Sequence, residues 1–274
     1  MPVGTITRGT TNTNRLRRID RWTQTLSVLR HSSDPLVVDL GYGASAVTSL
    51  ELHQRLAKTR SEVEVLGLEI DPERVRGANA QLEAVRDGET GFATDAAVRF
   101  ALGGFEVPLP NGRRAAVIRA LNVLRQYDES EVLPAWRMLV PRLQPGGVLI
   151  DGTCDEIGRI AAWVAVQADG PATFSIALRL DELEKPSIVA ERLPKALIHR
   201  NVEGERVHAL LGLLDRHWQY NAALAAYGPV QRWLATVEGV RAAGWPVQGG
   251  RSRWRLGELT VPWDSVAPNG FSWQ

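Results

Sequence analysis

The chain has 274 residues, 44% of them hydrophobic, with 32 lysines and arginines against 31 aspartates and glutamates for a net charge of +1. That is ample apolar material for a core, and too balanced a charge for long-range attraction to select nucleic acid or another charged polymer. The single cysteine, Cys154, excludes an internal disulfide, and no run of about 18 apolar residues is present to span a bilayer.

Residues 1–13 are rich in threonine and glycine and read as irregular. They lack the apolar stretch of a secretory signal, so the expected location is the cytoplasm. From Asn14 the apolar residues Leu16, Ile19, Trp22, Leu26 and Leu29 recur at helical spacing, with Arg15, Arg17, Arg18 and Arg21 mostly on the other side. This predicts one amphipathic helix covering a core edge. A phosphate-binding surface, as an RNA-modifying enzyme would need, is the competing reading of the same arginines.

After the breaker Ser32-Ser33-Asp34-Pro35 the pattern alternates. Strands are expected over 36–40, 63–70, 97–102, 115–121 and 148–152, with helices over 44–58, 72–85 and 130–143. Strands separated by helices predict an α/β fold with a mostly parallel sheet covered on both faces. Beyond Glu156, residues 160–166 and 173–180 read as two strands joined by a tight connection through Gln167-Ala168-Asp169-Gly170-Pro171, a terminal antiparallel pair. Residues 204–243 read as mostly helical and 258–261 as a last short strand. Six of nine tryptophans lie from Trp218 onward, where large apolar rings suit a core. The expected organisation is an N-terminal arm and helix (1–34), a ligand-binding core (35–182) and a mainly helical, Trp-rich extension (183–274).

The first strand runs into Asp39-Leu40-Gly41-Tyr42-Gly43-Ala44-Ser45-Ala46. Gly41 and Gly43 permit a tight turn and a close backbone approach to a ligand, and the helix behind them offers its first amide groups. Gly41-x-Gly43-x-x-Ala46 also satisfies the dinucleotide fingerprint G-x-G-x-x-G/A. The second strand ends in Glu69-Ile70-Asp71-Pro72. Glu69 is placed to accept hydrogen bonds from ribose hydroxyls, whereas Asp71 precedes a proline and reads as a helix cap.

Three motifs in order resemble the class I S-adenosylmethionine-dependent methyltransferases: the Asp39-to-Gly43 turn, the acidic end of the second strand, and Leu143-Gln144-Pro145-Gly146-Gly147-Val148-Leu149 before the fifth strand. The resemblance implies a Rossmann-like methyltransferase fold and S-adenosylmethionine as cofactor. It implies contacts to that cofactor from Asp39, Gly41, Tyr42, Gly43, Glu69, Ile70, Phe105, Ala120 and Asn122. An NAD site usually has an apolar residue at the position of Asp39 and its acidic partner about 20 residues on, whereas Glu69 lies 26 after Gly43. A third family glycine is Ser45 here. Many relatives place an Asp at position 104 to hold adenine; Gly104 leaves that contact to backbone near Phe105 or to Glu106.

Residues 117–128, VIRALNVLRQYD, resemble a segment of the chemotaxis receptor glutamate methyltransferases. Asn122 within it reads either as facing the reactive centre or as a strand-end residue tying down a turn. The segment lacks the (N/D)-P-P-(Y/F/W) sequence of amino-methylating nucleic-acid enzymes. The resemblance therefore implies methylation at oxygen of a small molecule or glycan-like acceptor, with no membrane partner. Tyr127, Asp151, Asp155, Glu156 and His199 are the nearest candidate bases, none with a motif around it. His199, His208 and His217 have no metal-ligand spacing, and Cys154 reads as a small buried residue. An RNA methyltransferase, an NAD-binding oxidoreductase and a non-catalytic binding protein are the rival readings.

Overall fold

The computed structural model describes residues 2–273. Its strands are β1 (Leu36–Leu40), β2 (Glu64–Glu69), β3 (Val98–Leu102), β4 (Ala115–Leu121), β5 (Leu143–Cys154), β6 (Ile160–Gln167), β7 (Gly170–Leu178) and β8 (Glu258–Pro262), in the sheet order β3-β2-β1-β4-β5-β6-β7-β8. The principal helices are α1 (Arg17–Thr23), α2 (Ser27–His31), α3 (Val47–Leu56), α4 (Pro72–Arg86), α5 (Glu129–Leu139), α6 (Lys195–Ile198), α7 (Arg206–Tyr220), α8 (Pro229–Ala242) and α9 (Arg251–Trp254). The fold is α/β, as the alternation predicts.

Contacts divide the chain into two compact units. The first holds residues up to Asp151 with 156–158 and 166–168; the second holds 152–155, 159–165 and the residues from 169 onward. This division falls inside β5, not at 182. The reason is that β7 carries β8 on one edge and is packed by the segment 186–192, so the later strands cluster with the C-terminal helices.

In the first unit β1 pairs in parallel with β2 and with β4, and β2 with β3. Every residue of β1 and β4 is buried, which explains their unbroken Val, Ile, Leu and Ala runs. Strand order reverses between β1 and β4, the place where open parallel sheets leave a crevice at the carboxyl ends of their strands. Register then sets the chemistry of that end: Asp39 lies opposite Arg119, and Glu69 opposite Leu102.

The N-terminal helix is shorter than its periodicity predicts. It breaks into α1 and α2 around Gln24 to Leu26, where Leu26 takes an extended conformation. The arginines are not a polar face turned to water. Arg15 and Arg18 are each only 8% exposed, Arg18 donates to the carbonyl of Gly158 and Arg17 to those of Asn14 and Ile157. Guanidinium groups satisfy several protein carbonyls at once, and periodicity alone does not reveal such distant partners.

In the second unit β7 and β8 pair antiparallel, with Ser175 opposite Thr260 and their hydroxyls 2.7 Å apart. Helices α7 and α8 bury Trp218 and Trp233 against each other, ring centroids 6.5 Å apart, and Arg232 stacks 3.9 Å over Trp218. Trp254 and Trp263 are also buried. The tryptophans from Trp218 onward mostly build a core here, as their composition suggests.

Candidate functional site

The turn after β1 is held from below. Arg119 is fully buried on β4 and donates to both oxygens of Asp39, at 3.0 and 2.6 Å. It also pairs with Asp20 of α1 and donates to the carbonyl of Thr48 at 3.1 Å. Arg55 reaches the other oxygen of Asp20 at 2.5 Å, and Ser49 donates to Asp39 at 2.7 Å. Burial works against the guanidinium charge of Arg119, but the carboxylates of Asp39 and Asp20 outweigh it and hold Arg119 protonated beyond the usual arginine range. Asp39 is thus turned into this ion cluster. The support it provides to the loop is mechanical, and its oxygens are spent on protein.

Above the cluster the chain turns through Gly41 (φ +67°) and Gly43 (φ +89°), conformations that side-chain-bearing residues adopt with strain. A Cβ on Gly41 would meet Val123, and one on Gly43 would come within 2.6 Å of the Gly9 carbonyl. Tyr42, between them, points inward: its ring packs edge-on to Phe100 at 5.0 Å and is 4% exposed. Burial, with Glu69 and Asp39 nearby, raises its phenol well above the ordinary tyrosine value.

The amides leading from the glycine turn into α3, expected to be open to a ligand, have acceptors at three positions. Ala44 donates to Gly9, Ala46 to the side chain of Gln81 on α4, and Val47 to the hydroxyl of Ser45. The residue standing where the family has a third glycine accepts from the amide of Val47, and a glutamine that no local pattern marks accepts from that of Ala46.

Glu69 ends β2 nearly buried. It accepts from the amides of Gly43 (3.0 Å), Ile70 (2.9 Å) and Asp71 (3.4 Å), with Arg74 3.6 Å away. Asp71 caps α4 by accepting from Glu73 at 2.9 Å, as its place before Pro72 predicts. At the end of β3, Glu106 accepts from the amide of Gly104 at 3.0 Å.

One cavity joins these strand ends. Its lining comprises Leu40, Gly41, Glu69, Ile70, the run from Gly103 to Phe105, Val123 and Tyr127, and Val3, Gly4, Thr5 and Thr7 of the N-terminal arm. Of the nine residues that the resemblance implies, Gly41, Glu69, Ile70 and Phe105 are brought together here. Asp39, Tyr42 and Ala120 are buried outside the lining; Gly43 backs the turn, and Asn122, at φ +62°, follows β4 next to the lining residue Val123 without lining the cavity itself. The arm residues, Gly103 and Val123 escape sequence reasoning. The arm carries no periodicity, and the loop after β3 is marked only by the resemblance, at Gly104, Phe105 and Glu106.

The candidate bases are dispersed. Tyr127 lines the cavity, its ring 5.2 Å from Phe105. Asp151 is buried and accepts from the indole of Trp136 at 3.0 Å; burial, partly offset by that hydrogen bond, pushes its carboxyl up to about 7. Asp155 accepts from the amides of Arg159 and Ile160 across a turn, the Glu156 carbonyl accepts from Asn12, and His199 ends α6. Among the described residues no group of three His, Cys, Asp or Glu is arranged to hold a metal ion, and no helix is long and apolar enough to cross a membrane.

No family model and no curated protein matches the sequence. Solved structures give partial likenesses. An O-methyltransferase of neocarzinostatin biosynthesis, solved with S-adenosyl-L-homocysteine and 1,4-dihydroxy-2-naphthoic acid, is 20% identical over 47% of this chain and 35% of its own, with a TM-score of 0.32. The CcbJ methyltransferase from Streptomyces caelestis is 16% identical over 58% of this chain and 70% of its own, TM-score 0.36. A protein described as a pericyclic reaction enzyme is 15% identical over 48% and 30%, TM-score 0.34. This chain spans about a third of the length of the first of these, and its chemistry is read from its own residues.

Proposed function

We propose that this protein binds S-adenosylmethionine at the carboxyl ends of β1, β2 and β3 and transfers its methyl group to an oxygen of a small molecule. The observation that carries the reading is the convergence of Gly41 of the glycine turn, the Glu69 carboxylate and the Gly103-to-Phe105 loop on one cavity at the point where strand order reverses.

The donor set suits an adenosyl group. Three backbone amides donate to Glu69, which leaves about one of a carboxylate's four lone-pair sites for a ribose hydroxyl. The amide of Phe105 and the carboxylate of Glu106 form a donor beside an acceptor at the end of β3, and the adenine edge presents the complementary pair. Position 104 is free of a side chain that would block them. When bound, S-adenosylmethionine supplies an electrophilic methyl group on its own leaving sulfur, so much of the protein's task is alignment.

The titratable groups in the lining are Glu69 and Tyr127. With no histidine there, an acceptor oxygen already ionised at neutral pH, such as a carboxylate, fits better than a glycan hydroxyl, which usually needs a base. The arginines of the N-terminal segment favour neither RNA nor another polyanion, because Arg15, Arg17 and Arg18 are engaged with protein carbonyls.

A thermal-shift and calorimetric comparison of S-adenosylhomocysteine with NAD tests the cofactor. A ligand at 100 times its dissociation constant adds about 2.7 kcal/mol of stability, so the expected result is a clear shift for the first and none for the second. Saturation by NAD alone would overturn the assignment. Methyl transfer from labelled S-adenosylmethionine to a panel of small acids and phenols then tests the acceptor class.

A further inference from the structure

The N-terminal arm runs across the cavity as a strap, tied from several sides. Val3 donates its amide to Glu106 at 2.7 Å and accepts from the amide of Phe105 at 2.9 Å. Thr5 donates its amide to the phenol oxygen of Tyr127 at 2.6 Å, and that hydroxyl lies 3.2 Å from the Thr5 carbonyl. The Thr7 carbonyl accepts from Arg74 at 2.7 Å, the Arg8 amide donates to Gln126 at 2.8 Å, and the Gly9 carbonyl accepts from Ala44 at 2.9 Å. The anchors come from the ends of β1, β3 and β4 and from α4, so the strap crosses the mouth of the crevice.

Little room remains beneath it. The cavity volume is about 20 Å³, space for a water, whereas sites for cofactor-sized ligands run to roughly 300–1,000 Å³. The contacts of Val3 explain why. Its peptide groups present one donor and one acceptor to Glu106 and Phe105, the same complement that the amino group and ring nitrogen of adenine would present. Gly104 fits this arrangement, because a Cβ there would run into the Val3 backbone.

We propose that residues 3–9 are an intramolecular competitor for the nucleoside site: the strap holds the base-reading groups until ligand displaces it, so the free protein is self-inhibited. This rests on the adenosyl reading of the cavity. The strap is suited to release, since its residues are mostly exposed on their outer side and its bonds are a handful of hydrogen bonds without a packed core. Ligand affinity is then lowered by the fraction of time the strap is seated.

The test follows the Arg8–Gly9 peptide bond, whose two residues are both tied down while the strap is seated. Trypsin is applied to the full-length protein with and without saturating S-adenosylhomocysteine, and loss of the first eight residues is followed by intact mass. A ligand that only stabilises the fold lowers cleavage; competition raises it, at least fivefold in the expected result. The double variant Val3→Pro/Thr5→Pro removes two strap amides and touches no group that would hold ligand. It is expected to speed cleavage at Arg8 in the free protein and to tighten S-adenosylhomocysteine binding about tenfold.

Binding of S-adenosylhomocysteine with cleavage unchanged or slowed overturns the competition and leaves the cofactor assignment standing. Faster cleavage in the variant with unchanged affinity does the same. Absence of binding by the variant, with its strap shown by cleavage to be open, overturns the adenosyl reading and this proposal with it.

Discussion

Asp39 and Glu69 close neighbouring parallel strands, both are 2% exposed, and they face opposite regions of the first unit. Asp39 belongs to a buried ion cluster beneath the glycine turn, neutralised by Arg119, which is itself shared with Asp20. Glu69 belongs to the crevice above, where backbone amides carry most of its hydrogen bonds and Arg74 stands farther off. Asp39 lies under the turn, outside the lining of the cavity, and its removal is a matter of stability. Glu69 lines the cavity and is the one of the two that a ligand there would meet. Position at a strand end therefore does not by itself mark a binding residue; the partner across the sheet decides.

The largest break in this comparison is Arg119→Leu. It removes the cation from Asp39 and leaves Asp20 with Arg55 alone, and losing one partner of a buried ion pair costs about 3–5 kcal/mol. Urea unfolding should show a loss of that size, with part regained when Asp39→Asn and Asp20→Asn are added. A midpoint within experimental error of the unmodified protein would contradict the cluster's role.

Asp151 sharpens the contrast, being a buried carboxyl whose named partner is neutral, the indole of Trp136. Its folded pKa, about 7, lies above the ordinary 3.8, so the folded state binds a proton that the unfolded state releases over that range. Stability attributable to this group therefore falls as pH rises from about 4 to 7 and is level above. Asp151→Asn should remove that fall, leaving the variant more stable at pH 8 by up to about 4 kcal/mol. Parallel stability profiles for the two proteins across this range would show that Asp151 does not titrate there.

Glu69→Gln is the corresponding change in the crevice, with a smaller effect read in a different assay. Losing a charged acceptor for ribose hydroxyls should weaken S-adenosylhomocysteine about tenfold by calorimetry. Unchanged affinity would remove Glu69 from the ligand's contacts. Smallest is Tyr42→Phe. The phenol oxygen lies 3.5 Å from the Arg74 carbonyl and the ring packs on Phe100, so stability should fall by about 1 kcal/mol or less and ligand affinity not at all. A tenfold affinity loss would place Tyr42 in the site after all.

Much of this was readable beforehand. The spans of β1 and β4 coincide with the apolar runs 36–40 and 115–121, because strands buried on both faces need continuous apolar sequence. The glycines of the turn and the cap at Asp71 were equally legible, each being a requirement of local backbone geometry. The inward turn of Tyr42 and the acceptor that Gln81 gives the Ala46 amide were not, since each depends on a residue dozens of positions away.

The sequence by itself determined the alternation of strands and helices, the glycine turn and the acidic strand ends, all of which are set by interactions within a few residues. Tertiary structure alone decided which carboxylate meets a cation, which face Tyr42 takes, and that a threonine-rich arm without periodicity lies across the crevice. Those outcomes depend on strand register and on hydrogen bonds between segments more than a hundred residues apart, such as Val3 with Glu106 and Thr5 with Tyr127, and local patterning carries no record of them.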